Sequence, residues 1–97
     1  MMTPTLAFAC DLISRRSVTP EDAGCLDVIA ARLGAVGFHC ERIDANGTSN
    51  LWATRTPNAA QPHPVFAFAG HTDVVPTGPL DKWTHDPFAP TIVDGML

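Results

Sequence analysis

The feature that most constrains the fold is a short, continuously apolar segment that runs directly into polar residues. Residues 65–69 read Val-Phe-Ala-Phe-Ala, and Gly70, His71, Thr72 and Asp73 follow them. A strand with one buried face alternates apolar and polar side chains, whereas a continuous apolar run is typical of a strand buried on both faces. Such strands occur in sheets that helices cover on both sides, so the segment predicts a layered α/β domain.

The residues that precede this segment predict two helices and a hairpin. Thr3 followed by proline is typical of a helix N-cap, and the apolar stripe that follows ends near residues 15–16. Thr-Pro-Glu-Asp at residues 19–22 indicates a second helix start, and Gly37 is a suitable C-terminal stop. Beyond it, two predicted strands at residues 38–44 and 50–56 flank an Asn-Gly turn. Helices followed by strands, one of them wholly apolar, favour a three-layer α/β domain.

The last residues suggest a chain that is cut within a domain. A polar, proline-containing loop is expected at residues 57–64, and another strand at residues 91–94. Asp94-Gly95 is a strong hairpin signal, yet only two residues follow it. A domain seldom stops two residues into a strand, because the backbone groups would lack partners. We therefore expect these 97 residues to be part of a longer protein.

Composition excludes some partners and indicates a compartment. Six Lys/Arg stand against ten Asp/Glu, and these cations are dispersed, so neither nucleic acid nor an anionic membrane is an expected partner. The apolar runs fall far short of the roughly 20 residues that span a bilayer. A secretory signal requires a basic stretch before its first apolar residues, and this sequence has none there. Cys10, Cys25 and Cys40 have no disulfide-like spacing, so we expect reduced thiols in a cytoplasmic protein, packed as small hydrophobic side chains.

The candidate site residues are His71 and Asp73, which follow the apolar segment directly. Ligands of open α/β sheets bind beyond the carboxyl ends of the strands, and an i, i+2 spacing places both side chains on one face of an extended chain. A neutral imidazole binds zinc well, and a neighbouring carboxylate orients the ring and raises its basicity. The residues alone leave open a purely structural His–Asp pair.

Other residues are weaker candidates. A catalytic zinc takes about three protein ligands, but His39, His63 and His85 are expected to be solvated or structural, because no His-Glu-x-x-His motif links any of them. Trp83 and Phe88 could line a substrate mouth or pack the proline-rich loop onto the core, and the sequence does not decide between these roles.

Segments along nearly the whole chain resemble one enzyme family. Gly-His-x-Asp-x-Val-Pro at residues 70–76 is shared by the di-zinc aminoacylases, deacetylases and carboxypeptidases. Other segments resemble more narrowly the succinyl-diaminopimelate desuccinylase branch of that family: Arg-Ser-Val-Thr-Pro at 16–20, Gly24-Cys25, Asn-Leu-Trp-Ala at 50–53, the full string Phe-Ala-Gly-His-Thr-Asp-Val-Val-Pro at 68–76, and Asp86-Pro87-Phe88.

The resemblance implies a three-layer mixed-sheet catalytic domain of the di-zinc exopeptidase type. Residues 1–97 would be its amino-terminal portion, without the rest of that domain or the dimerisation domain. The full-length protein would be a cytoplasmic homodimer that hydrolyses N-succinyl-LL-2,6-diaminopimelate in lysine and diaminopimelate biosynthesis. Each subunit would hold two zinc ions, one of them replaceable by cobalt. By position, His71 would be a zinc ligand and Asp73 the active-site carboxylate that supports it without binding the metal.

Two alternatives to this interpretation stay open. A related deacetylase or aminoacylase, such as acetylornithine deacetylase, would share the residues at 70–76. A non-catalytic α/β module would use His71 and Asp73 as a structural pair. In the enzyme interpretation, the remaining ligands and the general base would follow residue 97, so the 97 residues alone are expected to be inactive.

Overall fold

Two helices and a two-stranded antiparallel sheet form the regular part of this α/β structure, a computed structural model that describes residues 2–56 and 63–97. In chain order the elements are α1 (Pro4–Ser14), α2 (Cys25–Gly34), β1 (His39–Arg42), β2 (Leu51–Thr54) and a single 3₁₀ turn (Leu80–Lys82). Helix α2 packs against both strands. Cys25, at the start of α2, is the most deeply buried apolar side chain described, with 1% of its surface exposed.

Helix α1 begins and ends where the sequence predicts. Thr3 is its N-cap, with an extended backbone and a hydroxyl oxygen that accepts a hydrogen bond from the Leu6 N–H at 3.1 Å. Pro4 occupies the first helical position, where its missing N–H costs nothing because that group would have no intrahelical partner. The helix ends at Ser14, and Arg15 then pairs with Asp11 at 3.1 Å.

Helix α2 begins later than the predicted start at Thr19. The Thr19 N–H donates instead to the Val74 carbonyl, and Thr19 lies in a turn that the Glu21 N–H closes by donating to the Val18 carbonyl at 2.8 Å. The helix starts at Cys25, after Gly24 in a left-handed conformation with φ 78°. The carboxylate of Asp22 accepts a hydrogen bond from a backbone N–H of the first turn at 3.3 Å. Long-range backbone pairing therefore overrides the local cap signal at Thr19.

The end of α2 and the hairpin follow local sequence signals. Gly37 is left-handed with φ 93°, its N–H donates to the Gly34 carbonyl, and the Phe38 N–H donates to the Leu33 carbonyl. These two bonds make a Schellman motif with Gly37 at C′, as predicted. Strands β1 and β2 pair antiparallel. The Asn46-Gly47 turn between them has φ 52° and 78°, the left-handed values that a type I′ turn requires.

Residues 65–69 do not form the predicted buried strand. Val65, Phe66 and Phe68 have 87%, 81% and 93% of their surface exposed. A strand buried on both faces needs a neighbouring strand on each side and helices above and below it. In the part of the chain that the structure describes, the hairpin and the helices pack elsewhere and pair with none of these residues. The predicted third layer is therefore not formed by residues 2–56 and 63–97.

The final segment keeps its turn but not its strand. Val93 and Met96 exchange two backbone hydrogen bonds of 2.9 Å around Asp94 and Gly95, whose φ angles are 51° and 77°. The predicted hairpin turn is confirmed, whereas residues 91–94 form only an isolated bridge. Most of the predicted loop, residues 57–62, lies outside the described residues. No helix among those described is long and apolar enough to cross a membrane.

Candidate functional site

Two segments that lie far apart in sequence meet at the candidate site. The Val74 N–H donates to the Ser17 carbonyl at 2.9 Å, and the Thr19 N–H donates to the Val74 carbonyl at 3.0 Å. These bonds pair Val18 in parallel with Val74. The hydroxyl of Ser17, which is 3% exposed, also donates to the Thr72 carbonyl at 2.9 Å. We call this pairing of residues 17–19 with residues 72–74 the bridge, and it fixes the backbone on both sides of Asp73.

His71 and Asp73 are in direct contact, on the same side of the chain. His71 Nδ1 lies 2.9 Å from Asp73 Oδ1 and 2.9 Å from the Asp73 carbonyl oxygen. Both oxygens accept hydrogen bonds, so Nδ1 must carry the proton that they share. In the neutral ring, Nε2 then keeps its lone pair. The His71 side chain is 80% exposed, so this nitrogen faces space that a ligand can enter.

Thr19 completes the contacts of the Asp73 side chain. Its hydroxyl donates to Asp73 Oδ2 at 2.6 Å, across 54 residues of sequence. This hydrogen bond is the main reason that the pKa of Asp73 lies below its ordinary value, and the hydrogen bond from His71 lowers it further. Asp73 is therefore ionised at neutral pH, as an acceptor of both hydrogen bonds should be. The sequence predicts Thr19 as a helix cap and does not indicate this contact, because no local pattern reveals a partner 54 residues away.

The side chains of this site line one cleft. Its volume is about 320 Å³, and Thr19, His71 and Asp73 are among its lining residues. Leu26 of α2 and residues 48–51 of the hairpin also line it. A larger and shallower groove of about 470 Å³ runs between α1 and α2, but its lining contains neither histidine nor cysteine. Of the two, the smaller cleft is the one that contains an imidazole.

Comparison with known proteins identifies the family, although no family model matches the chain. A succinyl-diaminopimelate desuccinylase from Azoarcus sp. (strain BH72) is 66% identical over 95 residues, which cover 98% of this chain and 24% of the relative. The proteins of that name from Aromatoleum aromaticum and Thiobacillus denitrificans are 59% and 58% identical, over 96% and 100% of this chain and 23% and 24% of their own lengths. The chain belongs to the succinyl-diaminopimelate desuccinylase family. It spans about a quarter of the length of the relatives it matches.

Among the described residues, His71 is the one histidine at the cleft whose side chain could bind a metal ion. No group of three His, Cys, Asp or Glu side chains comes together within residues 2–56 and 63–97 in a way that could hold a metal ion. The free Nε2 of His71, with Nδ1 bound to a carboxylate, has the arrangement usual for a zinc-binding imidazole. Because a catalytic zinc takes about three protein ligands, His71 fits as one member of a larger set.

The other histidines lie apart from the cleft. His39 pairs with Glu41 at 3.2 Å on the exposed side of β1, and His63 contacts the carbonyl of Pro64 at 3.3 Å. His85 is exposed as well. None of the three lines the cleft.

The cysteines and aromatic residues also have roles outside the cleft. All three cysteines are free thiols; Cys25 is buried, whereas Cys10 and Cys40 are only half-buried. Trp83 Nε1 donates to the Thr77 carbonyl at 3.0 Å, and the Phe88 ring lies beneath the Arg16 guanidinium at 4.4 Å. Neither Trp83 nor Phe88 lines the cleft, and 48% of the Trp83 surface stays exposed, so these contacts do not decide between the two roles that the sequence left open.

Proposed function

We propose that this chain is the amino-terminal portion of the catalytic domain of a metal-dependent amide hydrolase that releases succinate from N-succinyl-LL-2,6-diaminopimelate. Relatives that are 54–66% identical and carry the desuccinylase name support this reaction. The observation that carries the proposal is the His71 imidazole, bound through Nδ1 to the Asp73 carboxylate with Nε2 free at the cleft.

The roles of the two residues follow from their hydrogen bonds. His71 would hold a zinc ion through Nε2, and Asp73 would keep the ring in the required tautomer by accepting a hydrogen bond from Nδ1–H. The negative charge of Asp73 also makes the imidazole a stronger electron donor. When bound, a pair of zinc ions would supply the Lewis acid and the activated water that amide hydrolysis needs.

The proposal assigns the missing functions to the rest of a protein about four times as long as this chain. That part would supply the other ligands, a general base and the dimerisation domain. The full-length protein would be a cytoplasmic homodimer with two zinc ions per subunit, one of which cobalt can replace. Residues 65–69 would become a buried strand of a three-layer mixed sheet, which would explain their continuous apolar sequence.

Substrate choice tests the reaction. The full-length protein should hydrolyse succinylated diaminopimelate in preference to N-acetylornithine, when both are assayed with zinc and then with cobalt. An equal or greater rate on the acetylated substrate would instead favour a related deacetylase. Absence of both activities in a folded, metal-loaded protein would favour the non-catalytic module.

Substitution of the proposed ligand tests the site. In the full-length protein, His71→Ala should remove one of the two metal ions and nearly all turnover, because an alanine side chain has no atom that can bind a metal. His85→Ala, at an exposed histidine outside the cleft, is the matched control and should keep both. Metal content is measured by atomic emission and turnover by succinate release. If His71→Ala kept both metals and full activity, the assignment would be wrong.

A further inference from the structure

We propose that Thr19 is a positioning residue of this site, whose hydroxyl holds Asp73 in the orientation in which Asp73 holds the His71 ring. The inference builds on the proposed function, since it names a third residue of the same cleft. Nothing in the local sequence indicates this role, because a Thr-Pro pair before acidic residues is typical of a helix start. The role depends on a contact between residues 54 positions apart.

Two hydrogen bonds converge on the Asp73 carboxylate, one from the Thr19 hydroxyl and one from the His71 ring. The Thr19 hydroxyl donates to Asp73 Oδ2 at 2.6 Å, and the other oxygen of the same carboxylate, Oδ1, accepts from His71 Nδ1 at 2.9 Å. Each oxygen thus has its own donor, which fixes the rotation of the carboxylate about its last side-chain bond. If Asp73 turned, it would lose its geometry with the ring.

The Thr19 proton has a clear preferred acceptor. Its oxygen lies 2.6 Å from the Asp73 carboxylate and 3.2 Å from the Val74 carbonyl, and a hydroxyl has one proton to donate. A hydrogen bond to an ionised acceptor is shorter and about twice as strong as one between neutral groups. The short contact with Asp73 is therefore the one that decides where the hydroxyl points.

The backbone holds Thr19 at this place. The bridge pairs residues 17–19 with residues 72–74 on both sides of the contact, so the hydroxyl and the carboxylate cannot drift apart without breaking backbone hydrogen bonds. A β-branched side chain also has few χ1 rotamers. Asp73 itself is 43% exposed, so without the hydroxyl its Oδ2 would bind water and the carboxylate would turn more freely. The expected loss is one of orientation, not of folding.

The test compares three substitutions in the full-length protein. Thr19→Val keeps the shape and removes the hydroxyl, Thr19→Ser keeps the hydroxyl, and Thr91→Val removes a hydroxyl that donates only within its own loop. We expect Thr19→Val to lower kcat and zinc affinity roughly tenfold with KM nearly unchanged. This is the lower end of the 10- to 100-fold loss typical when a supporting partner of a metal ligand is removed. Thr19→Ser should restore both, and Thr91→Val should change neither.

A second measurement reports the orientation of the His71–Asp73 pair and does not depend on enzyme activity. In the metal-free protein, ¹⁵N NMR of the imidazole should show His71 protonated at Nδ1 in the wild type and in Thr19→Ser. In Thr19→Val the fraction protonated at Nδ1 should be smaller, although the Asp73 carbonyl remains as one acceptor. Thr19→Ala serves the same purpose if the valine variant does not fold. An unchanged tautomer together with unchanged kcat in Thr19→Val, or in Thr19→Ala where that variant replaces it, would overturn the inference. Equal losses in the serine and valine variants would overturn it as well. Lack of desuccinylase activity in the wild type would count against the proposed function, while the tautomer would still decide the role of Thr19.

Discussion

Residues 2–56 and residues 63–97 differ sharply in how much regular structure they form. The first region contains α1, α2 and the hairpin. The second contains one 3₁₀ turn and isolated bridges, although it includes the most apolar segment of the chain. Hydrophobicity alone therefore does not produce a strand. The elements that do form, the helices and the hairpin, have their backbone hydrogen-bond partners nearby in sequence.

The two regions differ because their backbone groups find partners at different distances. A helix closes its hydrogen bonds within four residues, and a two-stranded hairpin closes them across one short turn. A strand buried on both faces must instead find two neighbouring strands, which other parts of the chain supply. Phe66 and Phe68 contact each other edge to face, with ring centroids 5.0 Å apart, but remain largely exposed.

The candidate site lies where the two regions meet. His71 and Asp73 come from the second region, and Thr19 from the first. The bridge joins them through backbone hydrogen bonds and the buried Ser17 hydroxyl. Each experiment below challenges this contrast between a locally encoded region and one that depends on distant partners.

The largest expected effect concerns metal binding. The 97-residue chain should bind zinc weakly and hydrolyse no succinylated diaminopimelate, because the described residues offer His71 without two further ligands. The full-length protein should bind two zinc ions tightly. Calorimetric titration of both proteins makes the comparison. Tight two-site binding by the 97-residue chain would show that this region does not depend on distant partners.

A smaller effect is expected at the bridge. Ser17→Ala should destabilise it by roughly 1–2 kcal/mol, because the Thr72 carbonyl loses a partly buried donor. Hydrogen exchange of the Thr19 and Val74 amides in the 97-residue chain should then be about 5 to 30 times faster. Phe68→Ala is the matched control in the same chain, and should change this exchange little because its side chain is 93% exposed. Equal effects of the two substitutions would contradict the assignment of the bridge as the joint between the regions.

The smallest expected effect lies within the locally encoded region. Thr3→Ala should cost about 1 kcal/mol of the stability of α1, because the Leu6 N–H loses its capping acceptor. Thr5→Ala is a control on the same exposed turn and should be neutral or slightly stabilising, since alanine has the higher helix propensity. Circular dichroism with thermal unfolding of the 97-residue chain measures both. A Thr3→Ala variant as stable as the control would show that α1 depends on tertiary contacts.

The site was predictable only in part. His71 and Asp73 were found because polar residues directly follow an apolar segment, and their contact spans two residues. The role of Thr19 was not found, since its local pattern predicts a helix cap. The same long-range pairing with Val74 moved the start of α2 to Cys25. One tertiary contact thus accounts both for the misplaced helix start and for the missed site residue.

Sequence alone determined the features whose partners lie within a few residues: the cap at Thr3, the stop at Gly37, the turn at Asn46-Gly47 and the His71–Asp73 pair. Tertiary structure decided that residues 17–19 lie against residues 72–74, and so placed the Thr19 hydroxyl on Asp73. It also left residues 65–69 exposed in the part of the chain that is described. The physical reason is the same in both cases. The position of a backbone or carboxylate group depends on its hydrogen-bond partner, and the pattern of neighbouring residues does not reveal a partner 54 positions away.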